Sequence, residues 1–220
     1  MVYSRVVPAT PISHSEFEGE RSVAFEYQPA LSGELVELRP LRSDDFRDLY
    51  AVAADPLLWE QHPPKNRHEE AVFEGFFRDA MASGGALVAI DVRTRQVIGT
   101  SRFHGYKARL HDGEESEDGE GSEDGGRGQV VERSELGERS EVEIRWTFLA
   151  RSHWGGTYNA EMKRLMLQRA FGFVDCVLFV IGPQNLRSQR AVEKIGGIRA
   201  GSRLDPSGED NHVYVVTAPD

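Results

Sequence analysis

The sequence contains one cysteine, seven scattered histidines and no apolar run approaching the roughly 18 residues of a membrane helix. A single cysteine excludes an internal disulfide, and without Cys/His pairs there is no zinc-binding spacing. Cys176 begins an apolar segment, so we interpret it as a buried, inert thiol rather than a nucleophile. The amino terminus has no signal-like apolar stretch. These absences predict a cytoplasmic protein that neither enters a membrane nor holds a metal ion.

Three common signatures of phosphate binding or nucleophilic catalysis are missing as well. No Gly-Lys-Ser/Thr ends a P-loop, and the Gly-x-Gly-x-x-Gly fingerprint of dinucleotide-binding folds does not occur. The Gly-x-Ser-x-Gly elbow of serine hydrolases is also lacking. The sequence therefore argues against P-loop NTPases, Rossmann-type oxidoreductases and hydrolases of that type.

The acidic excess of the chain is local. The formal net charge is −10, but residues 111–140 hold eleven Asp or Glu and three Arg, a net of −8 that leaves about −2 for the rest. A segment this acidic, with few apolar side chains, cannot offset its ordering entropy by burial. We therefore predict a disordered insertion over 111–140. The nearly neutral remainder disfavours a nucleic-acid surface, which needs clustered Lys and Arg.

The order of periodic segments predicts one α/β domain of the α+β kind. Residues 1–30 lack periodicity and form a predicted flexible leader, while residues 33–217 form the domain that the acidic segment interrupts. The patterns indicate a mixed, mostly antiparallel sheet of about seven strands with about four helices. A strand at 142–149, an amphipathic helix from Thr157 and an apolar strand at 177–181 form one parallel, right-handed βαβ unit.

The strand at 142–149 and the turn after it are the most informative part of the sequence. Its alternation predicts one face with Glu143, Arg145 and Thr147 and an opposite apolar face with Val142, Ile144, Trp146 and Phe148. The turn contains Gly155 and Gly156. A glycine-bearing turn before a helix presents backbone N–H groups at the positive end of the helix dipole, where a phosphate binds.

Segments 143–146, 151–161 and 185–197, in that order and spacing, carry a family resemblance. With Leu38-Arg39-Pro40-Leu41 near the start, they resemble the GNAT superfamily of acyl-CoA-dependent N-acyltransferases, and within it the RimJ/RimL-like branch of ribosomal-protein N-terminal acetyltransferases. The resemblance covers about residues 33–217 and implies the three-layer GNAT fold with acetyl-CoA as co-substrate. Thr157 stands where the family usually has a second glycine, so its backbone must hold a negative φ or accept strain.

The resemblance also implies where acetyl-CoA lies. The strand at 142–149 would diverge from the one at 177–182, and the pantetheine arm would occupy the gap beside the backbone of Phe148 and Leu149. The turn would hold the pyrophosphate, although from the residues alone it could be only a tight strand-to-helix turn. The residues implied in CoA binding there are Arg151, Trp154, Gly155, Gly156, Thr157, Tyr158, Asn159 and, after the second strand, Asn185.

Acyl transfer to an amine needs a base for the ammonium and a proton for the departing thiolate. Glu143 is the candidate base, directly or through water, and a structural carboxylate paired with Arg145 or another cation is the open alternative. Ser188 matches a position where relatives place a hydroxyl near the sulfur, although Asn185 and Ser188 could simply cap the following helix. The candidate acceptor contacts, each with an ordinary surface or packing role as its alternative, are His62 and His104.

The predicted function is acetyl transfer from acetyl-CoA to a primary amine, by direct attack in a ternary complex. The acceptor is a protein N-terminus or a small-molecule amine, with no nucleic-acid or membrane partner, and the enzyme is a monomer or homodimer. Two other classes stay open: a non-catalytic CoA-binding or ligand-sensing module, and an interaction protein that acts through the acidic tract at 111–126.

Overall fold

The computed structural model describes residues 25–62, 64–109, 139–206 and 208–219. Their eight strands are β1 (Leu31–Ser32), β2 (Val36–Pro40), β3 (Ala86–Asp91), β4 (Val97–Lys107), β5 (Glu141–Leu149), β6 (Cys176–Ile181), β7 (Ile198–Leu204) and β8 (Asp210–Thr217). The four α-helices are α1 (Phe46–Ala53), α2 (Glu70–Ala82), α3 (Thr157–Ala170) and α4 (Leu186–Glu193). Short 3₁₀ helices cover Ser43–Asp45, Pro56–Trp59 and Arg151–His153.

The strands form one sheet in the order β1-β2-β3-β4-β5-β6-β8-β7. Every neighbouring pair is antiparallel except β5 and β6, which are parallel and joined through α3. The predicted mixed, mostly antiparallel α/β fold with one parallel unit and four helices is therefore confirmed. The strand count is eight rather than about seven, because the two-residue β1 pairs with β2 just before the predicted start of the domain.

The predicted leader, residues 1–30, is shorter than expected at its carboxyl end. Phe25 is 6% exposed and packs in the main core, where its ring meets Phe103 edge-on. Burying an aromatic side chain provides one of the largest apolar contributions that a residue can make, so residues 25–30 belong to the folded body. Residues 1–24 lie outside the described residues, as does most of the predicted acidic insertion at 111–140.

The sheet separates two apolar cores. On one face, α1 and α2 contribute Leu49, Ala53 and Phe73, together with the aromatic stripe of α2, to a core that includes Phe148. On the other, α3 buries Met162, Leu165, Met166 and Ala170, and α4 adds Val192. The burial repeats at helical spacing on α2 and on α3, the helix predicted to be amphipathic. We call the two sides the α1/α2 face and the α3 face. In the described residues, no helix is long and apolar enough to cross a membrane.

Helix α3 is fixed against the start of the sheet by Glu161. Its carboxylate accepts hydrogen bonds from three backbone N–H groups in and after the β1–β2 turn, those of Glu34, Leu35 and Val36, at 2.7 to 2.9 Å. A Cβ at Gly33 would lie 2.5 Å from this carboxylate, so only glycine allows the close approach. This contact sets the position of the α3 amino terminus.

A β-bulge in β5 turns the side chains that follow it to the opposite face of the sheet. Thr100 and Arg102 on β4 pair with Phe148 and Arg145, so β5 has one residue more than β4 between the two pairs. Trp146, inside the bulge, has a φ of +51°, which is unusual for a bulky side chain. Ile144 consequently lies in the core of the α3 face and Phe148 in the core of the α1/α2 face. The prediction of a single apolar face for Val142, Ile144, Trp146 and Phe148 is wrong beyond Ile144.

Strands β5 and β6 are paired over only part of their length. Their register contains three pairs, ending with Glu143 opposite Leu178. Beyond that point β6 continues to pair with β8, whereas β5 keeps its pairing with β4 alone. The predicted divergence of these two strands is present in the fold.

Candidate functional site

The gap between β5 and β6 opens toward the carboxyl ends of both strands, because pairing stops at Glu143 and the strands run in parallel. Its apex therefore lies at Glu143. Its mouth is bordered by the turn after β5, which leads into α3, and by the amino-terminal end of α4. An extended ligand in this gap would have one end at two helix amino termini, where anions bind, and the other beside Glu143.

The turn at the mouth has the backbone geometry that exposes N–H groups. Gly155 and Gly156 have φ values of +107° and +114°, and a Cβ on either would meet nothing within 4 Å. The Ala160 N–H bonds to the Gly156 carbonyl at 2.8 Å, so the N–H groups of Thr157 and its next two neighbours, Tyr158 and Asn159, have no carbonyl in a preceding turn. Thr157 is the first residue of α3, and its φ is not positive. The threonine that stands here in place of the usual glycine therefore causes no backbone strain.

Asp91, at the end of β3, holds this turn in place. Its Oδ2 accepts a hydrogen bond from the Tyr158 hydroxyl at 2.7 Å and lies 3.3 Å from His153 Nε2. Its Oδ1 accepts from the backbone N–H groups of Arg93 and Thr94, both at 2.8 Å. These bonds, led by those from Tyr158 and Thr94, hold the pKa of Asp91 well below its usual range. The Tyr158 side chain is therefore committed to Asp91, which leaves its backbone N–H for a ligand.

Trp154 lies across the mouth of the gap. Its indole N–H donates to the Leu149 carbonyl at 2.9 Å, and the guanidinium carbon of Arg187 lies 3.8 Å from the centre of its ring. Arg187, on α4, also donates to the Leu58 carbonyl at 3.3 Å. Of the backbone groups predicted to pair with pantetheine, the Leu149 carbonyl is thus occupied by Trp154. The Phe148 side chain lies in the aromatic core, with its ring 5.0 Å from that of Trp59.

Arg151 lies beside the turn but is engaged with another residue. Its Nε donates to Asp55 Oδ2 at 2.5 Å, and both side chains are partly exposed. The pair borders an open recess of about 650 Å³ formed by α1, the start of β4 and residues 150–153. Because an exposed ion pair contributes little stability, a ligand phosphate could compete with Asp55 for this guanidinium.

Glu143, the candidate base, is buried and bonded to two arginines. Its Oε2 lies 3.3 Å from Arg145 Nη1, and its Oε1 accepts a short hydrogen bond from Arg203 on β7. Each oxygen of the carboxylate therefore accepts from one arginine and keeps a second lone pair that can accept a proton. The two ion pairs match the alternative role of Glu143 as a structural carboxylate. Its place at the apex of the gap is compatible with the role of base.

Asn185 and Ser188 lie at the first turn of α4. The Asn185 side-chain oxygen accepts from the Ser188 N–H at 3.1 Å, which makes Asn185 the N-cap of the helix. Asn185 is 5% exposed and Ser188 is half-buried. The capping alternative is thus present in the fold, and the cap uses the Ser188 N–H rather than its hydroxyl.

His62 is half-buried beside Trp59, with ring centres 5.6 Å apart. Burial, together with the charges of Arg187 and Arg67, lowers the pKa of His62 to about 4. The imidazole is therefore neutral near pH 7. Its position next to the α4 side of the mouth is compatible with the predicted acceptor contact.

His104 is exposed and stands opposite Glu143 in the β4–β5 register. Residues directly opposite one another on neighbouring strands share a face of the sheet. The His104 ring also meets the Trp146 ring edge-on, with centres 5.3 Å apart. His104, Glu143 and Trp146 consequently lie together at the apex, whereas His62 lies elsewhere, on the loop after α1.

Lys163 is a buried lysine behind the gap, on the α3 face. Its Nζ donates to Thr147 Oγ1 at 2.5 Å and to Ser101 Oγ at 3.2 Å, and lies 5.5 Å from the centre of the Phe179 ring. Thr147 belongs to β5 and Phe179 to β6, so Lys163 bridges the two strands just beyond their separation. Burial lowers the pKa of Lys163 to about 7.

Replacing Lys163 with methionine should remove a pH dependence of stability. Between pH about 7 and 10.5 the unfolded chain holds a proton that the folded protein has released, so the free energy of unfolding rises with pH over this window. We expect the wild type to gain up to about 1.4 kcal/mol per pH unit relative to Lys163→Met between pH 7 and pH 9. Urea denaturation at pH 7, 8 and 9 measures this gain.

The exposed Lys194, just after α4, supplies the control for that measurement. The Lys194→Met variant should follow the wild-type pH dependence, because an exposed ammonium keeps the same solvation in both states. Parallel curves for the wild type and Lys163→Met would contradict a lowered lysine pKa.

Three residues of this region were not identified from the sequence: Asp91, Lys163 and Arg187. The only available signal was for Asp91, since Asp before Arg93-Thr94-Arg95 in a hairpin-length link is typical of an Asx turn. Its partners Tyr158 and His153 are more than 60 residues away. Cys176 is buried as predicted, and burial raises its pKa to about 11, so the thiol is a poor nucleophile.

Comparisons with known proteins agree on the fold. No curated protein matches the sequence. A probable acetyltransferase of the GNAT family from Chromobacterium violaceum is similar in structure, with a TM-score of 0.64 and 19% identity, over 98% of this chain and 97% of that one. An acetyltransferase of the GNAT family from Bacillus anthracis has a TM-score of 0.60 and 18% identity, over 86% and 98%.

A third similar structure is RimJ from Mycobacterium smegmatis in complex with CoA-disulfide, with a TM-score of 0.53 and 16% identity, over 83% of this chain and 82% of that one. At such identities these structures support the fold alone. The acetyltransferase (GNAT) domain family matches residues 36–198, most of the chain and all of the region described above between β2 and the start of β7. The chain therefore belongs to the GNAT acetyltransferase domain family.

Proposed function

We propose that this GNAT-domain N-acetyltransferase transfers the acetyl group of acetyl-CoA directly to a primary amine within a ternary complex. The observation that carries the proposal is the parting of β5 from β6 after Glu143, next to a turn whose Gly155 and Gly156 expose backbone N–H groups. The pyrophosphate would bind those groups and the Arg151 guanidinium, and the pantetheine arm would extend along β5. The thioester would then lie toward the apex, between Glu143 and the first turn of α4.

The proton transfers follow from the residues around the gap. The amine nitrogen attacks the thioester carbonyl carbon, the C–S bond breaks, and the thiolate takes up a proton. In the proposal Glu143 removes the proton of the ammonium, directly or through water. Ser188, on the first turn of α4, passes a proton to the sulfur and is reprotonated from solvent, while Asn185 fixes that turn.

Replacing Glu143 with glutamine tests the base. The amide keeps the size of the side chain but cannot accept the ammonium proton, so we expect kcat to fall about 100-fold or more. The dissociation constant of acetyl-CoA should change little, because Glu143 lies at the far end of the gap from the turn. Steady-state thiol release and calorimetric titration with acetyl-CoA measure the two quantities.

Glu141 provides the matched control. It lies two residues earlier on β5, paired with Lys107 at 2.7 Å, and outside the gap. The Glu141→Gln variant should retain the wild-type kcat. Unchanged turnover in Glu143→Gln would exclude Glu143 as the base and leave it the structural role of holding Arg145 and Arg203.

The double ion pair of Glu143 is the observation that favours a second candidate function, a non-catalytic CoA-binding or ligand-sensing module. In that case acetyl-CoA would raise the melting temperature, and no amine of a broad panel would release thiol. The RimJ/RimL-like branch, an N-terminal or small-molecule acceptor, and a monomeric or homodimeric state remain predictions. The third possibility, interaction through the acidic tract, falls on residues outside the described ones.

A further inference from the structure

Three arginines surround two aromatic rings on the α1/α2 face. The guanidinium carbon of Arg102 lies 4.9 Å from the centre of the Phe76 ring and 4.7 Å from that of Trp146. Arg67 lies 5.0 Å from the same Phe76 ring, and Arg145 lies 4.5 Å from the same Trp146 ring. Because neighbouring guanidiniums share a ring, they are separated by less than about one Debye length. We call Arg67, Arg102 and Arg145 the arginine cluster.

The arginine cluster has little matching negative charge: Glu143 pairs with Arg145, and Asp79 attracts Arg102 from beyond salt-bridge distance. Arg102 is 3% exposed, its Nη2 donates to the Phe76 carbonyl at 3.2 Å, and its Nε is buried without a hydrogen-bond partner. Within the described residues, neither Arg67 nor Arg102 has a carboxylate within 4 Å, and Arg145 shares Glu143 with Arg203. Burial lowers the pKa of Arg67 and Arg102 to about 10 in each case, and both remain charged near pH 7.

The aromatic rings offset only part of the free-energy cost of burying these guanidiniums without carboxylate partners. A cation over a ring gains about 0.5 to 2 kcal/mol, whereas an uncompensated buried charge costs several kcal/mol. An unsatisfied donor on Arg102 adds to that cost. A bound anion would supply the charge and the hydrogen-bond acceptors that these guanidiniums lack.

The arginine cluster begins at the apex of the gap. Arg145 lies 3.3 Å from Glu143, the last β5 residue that pairs with β6, and Trp146 occupies the β-bulge directly after it. The left-handed φ of Trp146 places its ring between two of the three guanidiniums. An acceptor amine approaching a thioester at this apex from the α1/α2 face would therefore bring its other substituents onto the arginine cluster.

We infer that the acceptor amine carries an anionic group, a carboxylate or a phosphate, which the arginine cluster binds beside the reacting nitrogen. This inference rests on the proposed function and narrows its substrate class. Guanidinium groups bind both anions in a bidentate geometry. Amines with further positive charges, such as spermidine, should be poor acceptors because the same three charges repel them.

Two matched acceptor pairs test the inference. O-phosphoethanolamine and ethanolamine differ by a phosphate, and amidated tripeptides beginning with Glu or Gln differ by a carboxylate. In wild-type protein, kcat/KM for thiol release should favour the anionic member of at least one pair by about tenfold or more. The pair that responds identifies the anion. Equal kcat/KM within both pairs would overturn the inference.

Variants assign the preference to the arginine cluster. Arg67→Gln and Arg145→Gln should reduce the ratio of kcat/KM within the responding pair toward one, and Arg67→Lys should retain most of it. The control Arg78→Gln changes an exposed arginine on α2 and should leave the ratio unchanged. A ratio unaffected by Arg67→Gln and Arg145→Gln would mean that the three arginines serve only to pack the aromatic rings.

A binding measurement separates this inference from the proposed function. Titration of the CoA-loaded protein with each acceptor should show tighter binding of the anionic member, lost in Arg67→Gln, whether or not thiol is released. If no amine releases thiol, the proposed function fails while the calorimetric comparison still decides the inference. Equal binding of both members, or no binding of either, would overturn it.

Discussion

Replacing Gly156 with aspartate should weaken acetyl-CoA binding by about 100-fold, or close to 3 kcal/mol. The backbone at Gly156 has φ +114° and ψ −37°, a region that costs a residue with a Cβ roughly 1 to 3 kcal/mol. The added carboxylate would occupy the open space in front of the α3 amino terminus. Like charges about 4 Å apart repel by roughly 1 to 4 kcal/mol near a protein surface, so the pyrophosphate would be disfavoured twice.

A matched substitution at Gly196 distinguishes the effect of backbone strain from the loss of the pyrophosphate site. Gly196 also has a positive φ, +90°, and open space where a Cβ would lie, but it follows α4 and does not border the gap. Gly196→Asp should lower the melting temperature to a comparable extent and leave the acetyl-CoA dissociation constant unchanged. If Gly156→Asp bound acetyl-CoA as tightly as the wild type, the turn could not be the pyrophosphate site.

Replacing Asp91 with alanine should cost about 1 to 3 kcal/mol of unfolding free energy. The buried carboxylate accepts hydrogen bonds from the Tyr158 hydroxyl and from the N–H groups of Arg93 and Thr94, and these partly exposed donors can turn in part to water. Acetyl-CoA affinity should fall as well, by about tenfold or more, since Asp91 fixes Tyr158 and with it the turn. Chemical denaturation and calorimetric titration measure the two effects. Tyr158→Phe, which removes a single bond, should show a smaller loss of both.

Asp175 is the matched control for Asp91. Its carboxylate likewise accepts from a backbone N–H and a hydroxyl, both of Ser140, but it lies just before β6, far from the mouth of the gap. Asp175→Ala should lower stability and spare acetyl-CoA affinity. A loss of affinity equal to that of Asp91→Ala would show that destabilisation alone weakens binding.

The pH dependence of the Asp91 contribution has a definite sign. Its pKa is lowered in the folded protein, so its stabilisation is fully present above the usual aspartate value of about 4. That stabilisation is lost progressively as the pH falls from about 4 to the lowered folded value. Lys163 acts in the alkaline part of the pH range. The free-energy cost of burying its ammonium decreases above pH about 7.

Much of the fold could be predicted because its signals are local. The amphipathic pattern that begins at Thr157 predicts α3, and the apolar run at 177–181 predicts the central β6. The parting of β5 and β6 followed from the family resemblance rather than from any periodicity. Missing β1 has a simple reason: two residues are too short for a periodic signal.

The less predictable features depend on tertiary contacts. An alternating pattern over 142–149 contains no sign of the bulge at Trp146, because every residue there is compatible with a regular strand. Lys163 lies on a helix whose charged residues normally face solvent, and its burial depends on hydroxyls of Ser101 and Thr147 on two other strands. The role of Glu143 was left open between base and ion-pair partner, and the ion pairs to Arg145 and Arg203 now stand beside its place at the apex.

The extra residue in β5 has a consequence for reading the evolution of this enzyme. A relative with an uninterrupted strand would need one residue fewer between the positions equivalent to Ile144 and Thr147. An ungapped alignment with such a relative would pair each later β5 residue with one on the other face of the sheet. Thr147, for example, would be compared with a residue of the opposite core. A one-residue insertion or deletion at this point would therefore turn the later side chains of β5 to the other face of the sheet.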